Sequence, residues 1–556
     1  MRRILAATAA LAVIVIPAAT SAGPDDPAAA SPICGGHAPA SAEPAEAART
    51  LLEGYGTGGF KVRTANPKAQ AFFDNGMQLG HAFAHKASMA AFQEARKLDP
   101  DCAMCAWGEA WARGPTLNYP IDAKEQAELA KVADRAAQLA AGGSDKERRL
   151  TAALQQRYRH GGGKGPGDLA FARAMDALAH AYPEDNELAI LAADAWMIPA
   201  SHRNNRDNLD KALNFLGPAL TRNPNDTGAI HFYIHATEMD GVPARALPFA
   251  IRLQALAPAA SHLVHMPSHT YYWVGQYEAA ARANIDAVAI DEANARRLKT
   301  EDGAWGLAYH GHNVKFGTGA ALIDGDGASA LALARPVVAR FGKIKPGAGG
   351  SQMGSGTALF AVGRYAPQAE VAALKDPGDQ LPYLRAMWRY ARGEAAARRA
   401  DAAALKAEAA AIDVSTISRE AFEDETPQAK ALVEIARLVL VGRLAMLEGR
   451  PADAARAFAD AAGRQDRVLK DYVDPPAWWY PVRRSLAAAQ LAGGDASGAE
   501  AQANEVLGKT PGDPLSLLVL AEAQKALGRT ADAEQTLSKA RALWRGETAG
   551  LNLRAA

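Results

Sequence analysis

One interval recurs in this chain of 556 residues and restricts the folds that it can adopt. His231 and His265 lie 34 residues apart, and His235 and His269 are separated by the same 34 residues. A period of about 20–50 residues is typical of stacked units, each of which cannot bury its apolar face alone. The interval therefore predicts a repeat architecture in which neighbouring units share one continuous core.

Several segments match the second half of a two-helix unit, with small residues where the helices cross. The copy at residues 274–292, VGQYEAAARANIDAVAIDE, has Gly275, Tyr277, Ala280 and Ala287 at the required offsets. Further copies occur at residues 89–100, 211–224, 449–461, 487–511 and 517–540. Because these copies share their glycine and proline punctuation, we identify them as tetratricopeptide repeats (TPR).

The composition agrees with a mostly helical chain. Runs such as AAARRADAAALKAEAAAI, at residues 395–412, favour helix because alanine has the highest helix propensity. No set of alternating Val, Ile and Thr runs predicts a sheet. The predicted fold class is all-α, a TPR-like α-solenoid whose stacked helical hairpins form a right-handed superhelix with a concave groove.

The domain organisation is predicted from composition and from glycine-rich interruptions. We predict a signal peptide at 1–22, a disordered or irregular leader at 23–66, an N-terminal TPR-like array at 67–345, a linker or irregular region at 346–380 and a C-terminal TPR-like array at 381–556. Arg2 and Arg3 precede a short apolar stretch and the small residues of a cleavage site, which is the pattern of a secretory signal. The expected localisation is periplasmic or secreted.

The charge balance excludes two classes of partner. Lys and Arg number 61, and Asp and Glu also number 61. This balance provides no basic surface for nucleic acid or for an anionic membrane. No segment after the signal reaches the ~20 apolar residues of a transmembrane helix. We therefore expect neither a nucleic-acid partner nor a membrane span.

Five of the 13 histidines fall in two short runs, HFYIHATEMD at 231–240 and HLVHMPSHT at 262–270. Within the first run, His231, His235 and Glu238 lie within roughly 60° of one another around a helix. The 34-residue interval places the second run at equivalent positions of the next unit. In the TPR pattern these positions face the concave groove.

The second run presents His262, His265 and His269 in the same way, and His312 of YHGHN takes the position of His262 in the following unit. Helices that pack ~8–10 Å apart can bring such imidazoles onto one or two shared ions. The predicted metal ligands are His231, His235, His262, His265, His269 and His312, with Glu238 as a further ligand or as a general base. Imidazoles with one carboxylate suit copper, zinc or iron and disfavour calcium or magnesium.

Two functions from different classes follow from these residues. The first is an exported TPR protein that binds one or two transition-metal ions in its groove, with catalysis by the bound metal left open. The alternative is a periplasmic scaffold that holds a protein or peptide partner in the groove, without metal or catalysis. In that case the histidines would make partner binding depend on pH.

The three cysteines predict one disulfide and one spare thiol in an oxidising compartment. Cys102 and Cys105 form CAMC, and Ala106 follows where haem attachment would need histidine. A bond from Cys34 to either of them would tie down the leader, and a redox-active CxxC pair is the other possibility. We favour a structural role.

Six segments, FDNGMQLGHAFAH, FQEARKLDPDCAMCAWGEA, HFYIHATE, HLVHMPSHTYYWVGQYEAA, YHGHN and DPPAWWYPVRRSLAAAQ, occur together along the chain from about Lys68 onwards. They resemble a family of large secreted bacterial TPR proteins. The resemblance implies a repeat fold with a histidine-lined groove and brings no particular reaction with it. In that family another histidine often follows the second histidine of YHGHN by three residues, and here Lys315 occupies that place.

Overall fold

The computed structural model describes residues 50–159, 165–199, 205–470 and 474–556. These ranges contain 27 α-helices and no β-strand, which confirms the all-α prediction. No helix within them has both the length and the apolar character needed to cross a bilayer. The predicted signal peptide, most of the predicted leader and Cys34 lie outside the described residues.

The helices follow one another with short connections, and consecutive helices pack as antiparallel hairpins. The first ten are α1 Pro67–His81, α2 His85–Leu98, α3 Ala103–Ala112, α4 Ala123–Ala140, α5 Asp145–Arg159, α6 Pro166–Ala181, α7 Asn186–Met197, α8 Arg206–Arg222, α9 Thr227–Met239 and α10 Leu247–Leu256. The next eight are α11 Ser261–His265, α12 Pro267–Trp273, α13 Tyr277–Leu298, α14 His310–Asp324, α15 Gly327–Val338, α16 Gly349–Gly356, α17 Ala358–Tyr365 and α18 Gln368–Ala373. The last nine are α19 Pro382–Arg398, α20 Ala402–Ala410, α21 Arg419–Phe422, α22 Thr426–Leu447, α23 Pro451–Val468, α24 Arg483–Ala492, α25 Ala496–Lys509, α26 Pro514–Ala526 and α27 Thr530–Leu543.

The 34-residue interval of the sequence is the interval between equivalent helices. Helix α9 begins at Thr227, and α11 begins 34 residues later at Ser261. The carboxylate of Asp226 accepts a hydrogen bond from the N–H of Ala229 (3.2 Å), which fixes the start of α9. In the next unit Pro267 has no N–H to donate, so the helix is interrupted there and divides into α11 and α12.

Small residues occupy the helix crossings, as the repeat pattern predicts. Ala212 and Ala219 of α8 have no exposed surface, and neither do Ala280 and Ala287 of α13. A methyl group at each crossing lets neighbouring backbones approach closely and bury the longer side chains beside them. The array is therefore held together mainly by the apolar contact between successive hairpins.

Two large hydrophobic cores share the chain, and they meet at the histidine helices. The first core extends from Leu52 to Met266 and also includes Tyr309. The second core extends from Tyr272 to Ala489. The change from one core to the other thus falls within the interrupted helix α11–α12, between two of the predicted ligands.

The interval at 346–380, predicted to be a linker or irregular, holds the three short helices α16 to α18. Tertiary packing overrides the low helix propensity of its glycines. A side chain at Gly356 would place its Cβ 2.7 Å from the ring of Tyr383, so glycine permits a close approach to α19. Helix α17 packs against both α15 and α19, and the end of the interval from residue 374 is irregular.

The described part of the predicted leader, residues 50–66, is irregular but packed against the helices. The N–H of Thr57 donates to Thr227 Oγ1 (2.7 Å), and the N–H of Gly59 donates to Glu187 Oε2 (3.0 Å). Gly56 has φ +92°, and a Cβ there would lie 2.3 Å from Thr227 Oγ1. This segment therefore covers the start of α9.

The disulfide joins Cys102 to Cys105 at the start of α3. The predicted alternative, a bond from Cys34 to one of these cysteines, is therefore wrong. Both bonded cysteines are fully buried in the first hydrophobic core, and their structural role stays a prediction.

Candidate metal centre

The six histidines predicted as metal ligands come together in two adjacent groups of three. The first triad is His231, His235 and His262, and the second triad is His265, His269 and His312. In each triad the possible ligand atoms lie within 4.8 Å of one another. All six side chains are buried, with at most 4% of any residue exposed. Each triad could hold a metal ion.

Each triad combines histidines from more than one helix. His262 joins the two histidines of α9, whereas His265 and His269 join His312 from the first turn of α14. His262 and His265 are three residues apart, so they point about 60° away from each other around the helix axis. The interrupted helix α11–α12 therefore supplies ligands to both triads.

The nitrogen atoms within each triad are separated by the distances expected of ligands around one ion. In the first triad, His231 Nε2 lies 3.1 Å from His262 Nε2 and 3.2 Å from His235 Nε2. In the second, His265 Nε2 lies 2.9 Å from His269 Nε2 and 3.1 Å from His312 Nε2. Two nitrogens at ~2.0–2.1 Å from a tetrahedral ion lie ~3.3 Å apart.

The two triads are also in contact with each other. The ring centroids of His235 and His269 are 5.5 Å apart, and those of His262 and His265 are 5.6 Å apart. Ions held in both triads would therefore be close neighbours, as in centres where two metals act together.

Hydrogen bonds on the outer side of the rings fix the tautomers of two ligands. His231 Nδ1 lies 2.6 Å from the carbonyl oxygen of His81, and His265 Nδ1 lies 2.7 Å from Asn284 Oδ1. Asn284 Nδ2 donates to the carbonyl of Ala280, so its Oδ1 is the acceptor. Each Nδ1 must then carry the hydrogen, which leaves the Nε2 lone pair directed into the triad.

Glu238 fixes a third ligand, His269, in the same way. Glu238 Oε2 accepts from His269 Nδ1 (2.8 Å), and Glu238 Oε1 accepts from Trp273 Nε1 (2.8 Å). Both carboxylate oxygens are therefore engaged on the side of the ring away from the triad. Glu238 thus orients the imidazole of His269, and its role as a ligand or general base stays a prediction.

The pair His265 and His269 has a direct chemical consequence. Both rings direct Nδ1–H outward, and their Nε2 atoms face each other across 2.9 Å. Two unprotonated nitrogens at this distance repel, so the arrangement needs a shared cation, either a proton or a metal ion.

Burial keeps most of the triad imidazoles neutral, which is the form that binds metal. Burial, helped by the neighbouring imidazoles, lowers the pKa of His231 to about 3. The same causes lower the pKa values well below the usual range for His235, His262, His265 and His312. His269 differs: burial acts to lower its pKa, but the carboxylates of Glu238 and Asp474 outweigh burial and raise it to about 9.

Asp474 is a residue of this site that the sequence interpretation missed. Its Oδ1 lies 3.5 Å from His269 Nδ1 and 3.7 Å from His312 Nε2. Burial, together with the charge of Glu238, raises the pKa of this carboxyl to about 8. A single aspartate so distant in sequence carries no periodic signal, and only its place in the DPPAWWYP segment marked it. Lys315, at the position of the expected family histidine, interacts with the charge of Asp474.

An aromatic wall and a small cavity adjoin the first triad. The ring centroid of Phe83 lies 4.4 Å from that of His231 and 5.0 Å from that of His262. Phe83 has φ 55°, a left-handed conformation that is costly for a bulky residue and is concentrated at functional sites. A cavity of about 90 Å³ is lined by Phe83 and His262 together with Lys86 and Tyr309. This cavity adjoins the first triad through His262.

No known protein-family model and no curated protein matches the chain. Solved structures match it over most of its length. A human IFIT1 dimer with m7Gppp-AAAA shares 12% identity, with 87% of this chain and 91% of that one covered and a TM-score of 0.30. Yeast Tom70 shares 11% identity, with 85% and 92% covered and a TM-score of 0.28. The P58(IPK) TPR domain shares 13% identity, with 61% and 89% covered and a TM-score of 0.20. At these scores none of them bears on the chemistry of the histidine site.

Proposed function

We propose that this TPR-like protein binds two transition-metal ions, one in each triad, through the Nε2 atoms of three histidines. The single observation that carries the proposal is the pair His265 and His269. Their Nε2 atoms lie 2.9 Å apart while hydrogen bonds to Asn284 and Glu238 fix both Nδ1 atoms on the outer side. A metal ion satisfies both lone pairs at once.

Copper, zinc and iron remain the candidate metals, because imidazole ligands suit all three. Three protein ligands leave a further coordination position open on each ion, as in catalytic metal sites. The cavity beside Phe83 and His262 adjoins the first triad. We propose that a small molecule enters there and binds at an ion, and that the metal supplies the chemistry when it is bound.

Metal analysis of the full-length protein tests this function. The protein is stripped with a chelator, loaded separately with copper, zinc or iron(II), and its metal content is measured by mass spectrometry. We expect two ions per chain for at least one metal, and one ion per chain after His235→Ala or His269→Ala. The control His180→Ala changes an exposed histidine on α6 and keeps two ions. Metal at background level with every candidate would refute the proposal.

A proteinaceous partner in the groove stays a prediction and gains no support from the histidines. All six imidazoles of the two triads are buried, so an extended peptide has no imidazole surface to contact. Under this alternative, a partner would co-purify with the protein, and His235→Ala would leave the metal content at background.

We also propose that the protein is exported. The N-terminal pattern and the Cys102–Cys105 disulfide both support an oxidising compartment. Cell fractionation would test this: the full chain should appear outside the cytoplasm, and a chain lacking residues 1–22 should remain inside.

A further inference from the structure

We propose that the carboxylate of Asp474 is a fourth protein ligand of the ion in the second triad. This inference rests on the proposed function, because it concerns the coordination of one of the two ions. It makes the second site a set of three imidazoles and one carboxylate, and it brings a residue that lies 162 positions after His312 into the centre.

The first support is distance. Asp474 Oδ1 lies 3.7 Å from His312 Nε2, which is one of the ligand atoms of the second triad. Ligand atoms at ~2.0–2.2 Å from one ion are at most ~4 Å apart. The oxygen can therefore share an ion with His312 once the side chain turns toward the three imidazole nitrogens.

The second support is that the carboxylate is buried and unsatisfied. The Asp474 side chain is only 10% exposed, and neither of its oxygens has a hydrogen-bond partner among the described residues. A buried carboxylate is costly unless hydrogen bonds or a cation compensate it. Lys315 contributes an attraction between charges but no hydrogen bond to these oxygens.

The third support is the contrast with Glu238, the other carboxylate next to His269. Each oxygen of Glu238 already accepts a hydrogen bond, one from His269 Nδ1 and the other from Trp273 Nε1. Asp474 Oδ1 lies 3.5 Å from His269 Nδ1 and 3.7 Å from His312 Nε2, and the oxygens of Asp474 carry no hydrogen bonds among the described residues. One carboxylate therefore orients a ligand, and the other is placed to be a ligand.

The chain holds Asp474 firmly in this position. Pro475 lies next to Gly319 of α14, the helix that also carries His312, and a Cβ at Gly319 would meet Pro475 at 3.9 Å. Trp478 and Tyr480, which follow shortly after, have only 1% of their surface exposed. Because these aromatic residues are anchored in the second core, the carboxylate is presented by packed structure.

Zinc titration of the chelator-stripped full-length protein tests the inference through affinity, without any activity assay. A competing fluorescent chelator reports the two dissociation constants. We expect Asp474→Asn to weaken one zinc site at least ~10-fold, as loss of a coordinating or orienting group does, and to leave the other unchanged. The control Asp324→Asn removes another buried carboxylate, at the far end of α14, and leaves both sites unchanged.

Two further variants assign the effect to the second triad. In a His231→Ala background, which removes a ligand of the first triad, Asp474→Asn should still weaken the remaining zinc at least ~10-fold. In a His312→Ala background it should have no effect on the zinc held by the first triad. Equal effects in the two backgrounds, or no effect in either, would overturn the role of Asp474.

The outcomes separate the two levels of the proposal. A wild-type protein without zinc sites refutes the proposed function itself, whereas two sites that are insensitive to Asp474→Asn refute only the inference. A crystal structure of the zinc-loaded wild type avoids any dependence on the folding of variants. It should place Asp474 Oδ1 ~2.0–2.2 Å from the second ion, and an oxygen beyond about 3 Å would contradict the assignment.

Discussion

Replacement of Asn284 by alanine should weaken metal binding at the second triad without touching a ligand. The Oδ1 atom of Asn284 lies 2.7 Å from His265 Nδ1 and holds the ring with Nε2 facing the triad. Loss of such an outer hydrogen bond typically lowers metal affinity by ~10–100-fold. That range corresponds to ~1.4–2.7 kcal/mol of binding free energy.

The neighbouring contacts determine where in this range the single variant should fall. The hydroxyl of Ser268 lies 3.4 Å from the same His265 Nδ1, so it can replace part of the lost bond after a small shift. We therefore expect a ~10-fold weaker second site for Asn284→Ala, and ~100-fold for Asn284→Ala combined with Ser268→Ala. The first triad does not use either residue and should keep its affinity.

Competition between the stripped protein and a fluorescent zinc chelator measures both sites in one titration. Asn294→Ala, on the same helix α13, removes a side-chain amide that bonds the carbonyl of Ala259 and serves as the matched control. Circular dichroism verifies that each variant is folded. Unchanged zinc affinities in a folded double variant would refute the view that the outer hydrogen bonds prepare these imidazoles for metal.

Three other results are expected. Removal of both ions should lower the melting temperature measured by calorimetry, because an ion present at about 1,000 times its dissociation constant stabilises the fold by ~4 kcal/mol. An unchanged melting temperature would contradict tight binding of metal to the folded state. Burial raises the pKa of Asp324 from 3.8 to about 7. Between about pH 4 and pH 7 the folded chain therefore keeps a proton that the unfolded chain has lost. As a result, Asp324 makes the free energy of unfolding fall as the pH rises through this range. Asp324→Asn should remove that loss, worth at most ~4 kcal/mol, and urea unfolding at pH 5 and pH 8 would reveal it as a gain in stability that is larger at the higher pH. Gly275→Ala should destabilise the chain more than Gly241→Ala: both glycines have φ near +79°, but only at Gly275 would the Cβ collide with a backbone atom, the carbonyl oxygen of Pro511 at 1.9 Å. Equal losses of stability in urea would show that backbone conformation alone matters at these positions.

The sequence predicts the helices and the set of candidate ligand residues well, because both depend on local periodicity. The 34-residue interval between His231 and His265 is also the interval between the helices that carry them. Helical spacing likewise places His231 with His235, one turn later, on one face. These relations need no knowledge of how the helices pack.

The partition of ligands between the triads could not be predicted in the same way. Helical periodicity shows which face His262 and His265 occupy, but the choice of partner depends on the packing angle and on the interruption at Pro267. Asp474 and Phe83 reach the site through long-range packing and carry no repeat signal. The sequence leaves the pairing of Cys102 with Cys105 as one of two possibilities, because cysteine connectivity does not follow from spacing alone.

The chain changes hydrophobic cores at Met266, in the middle of the helix that serves both triads. His265 and His269 belong to this connecting segment, and His312 lies on a helix of the second core. An ion in the second triad would therefore tie the connecting segment to the second array.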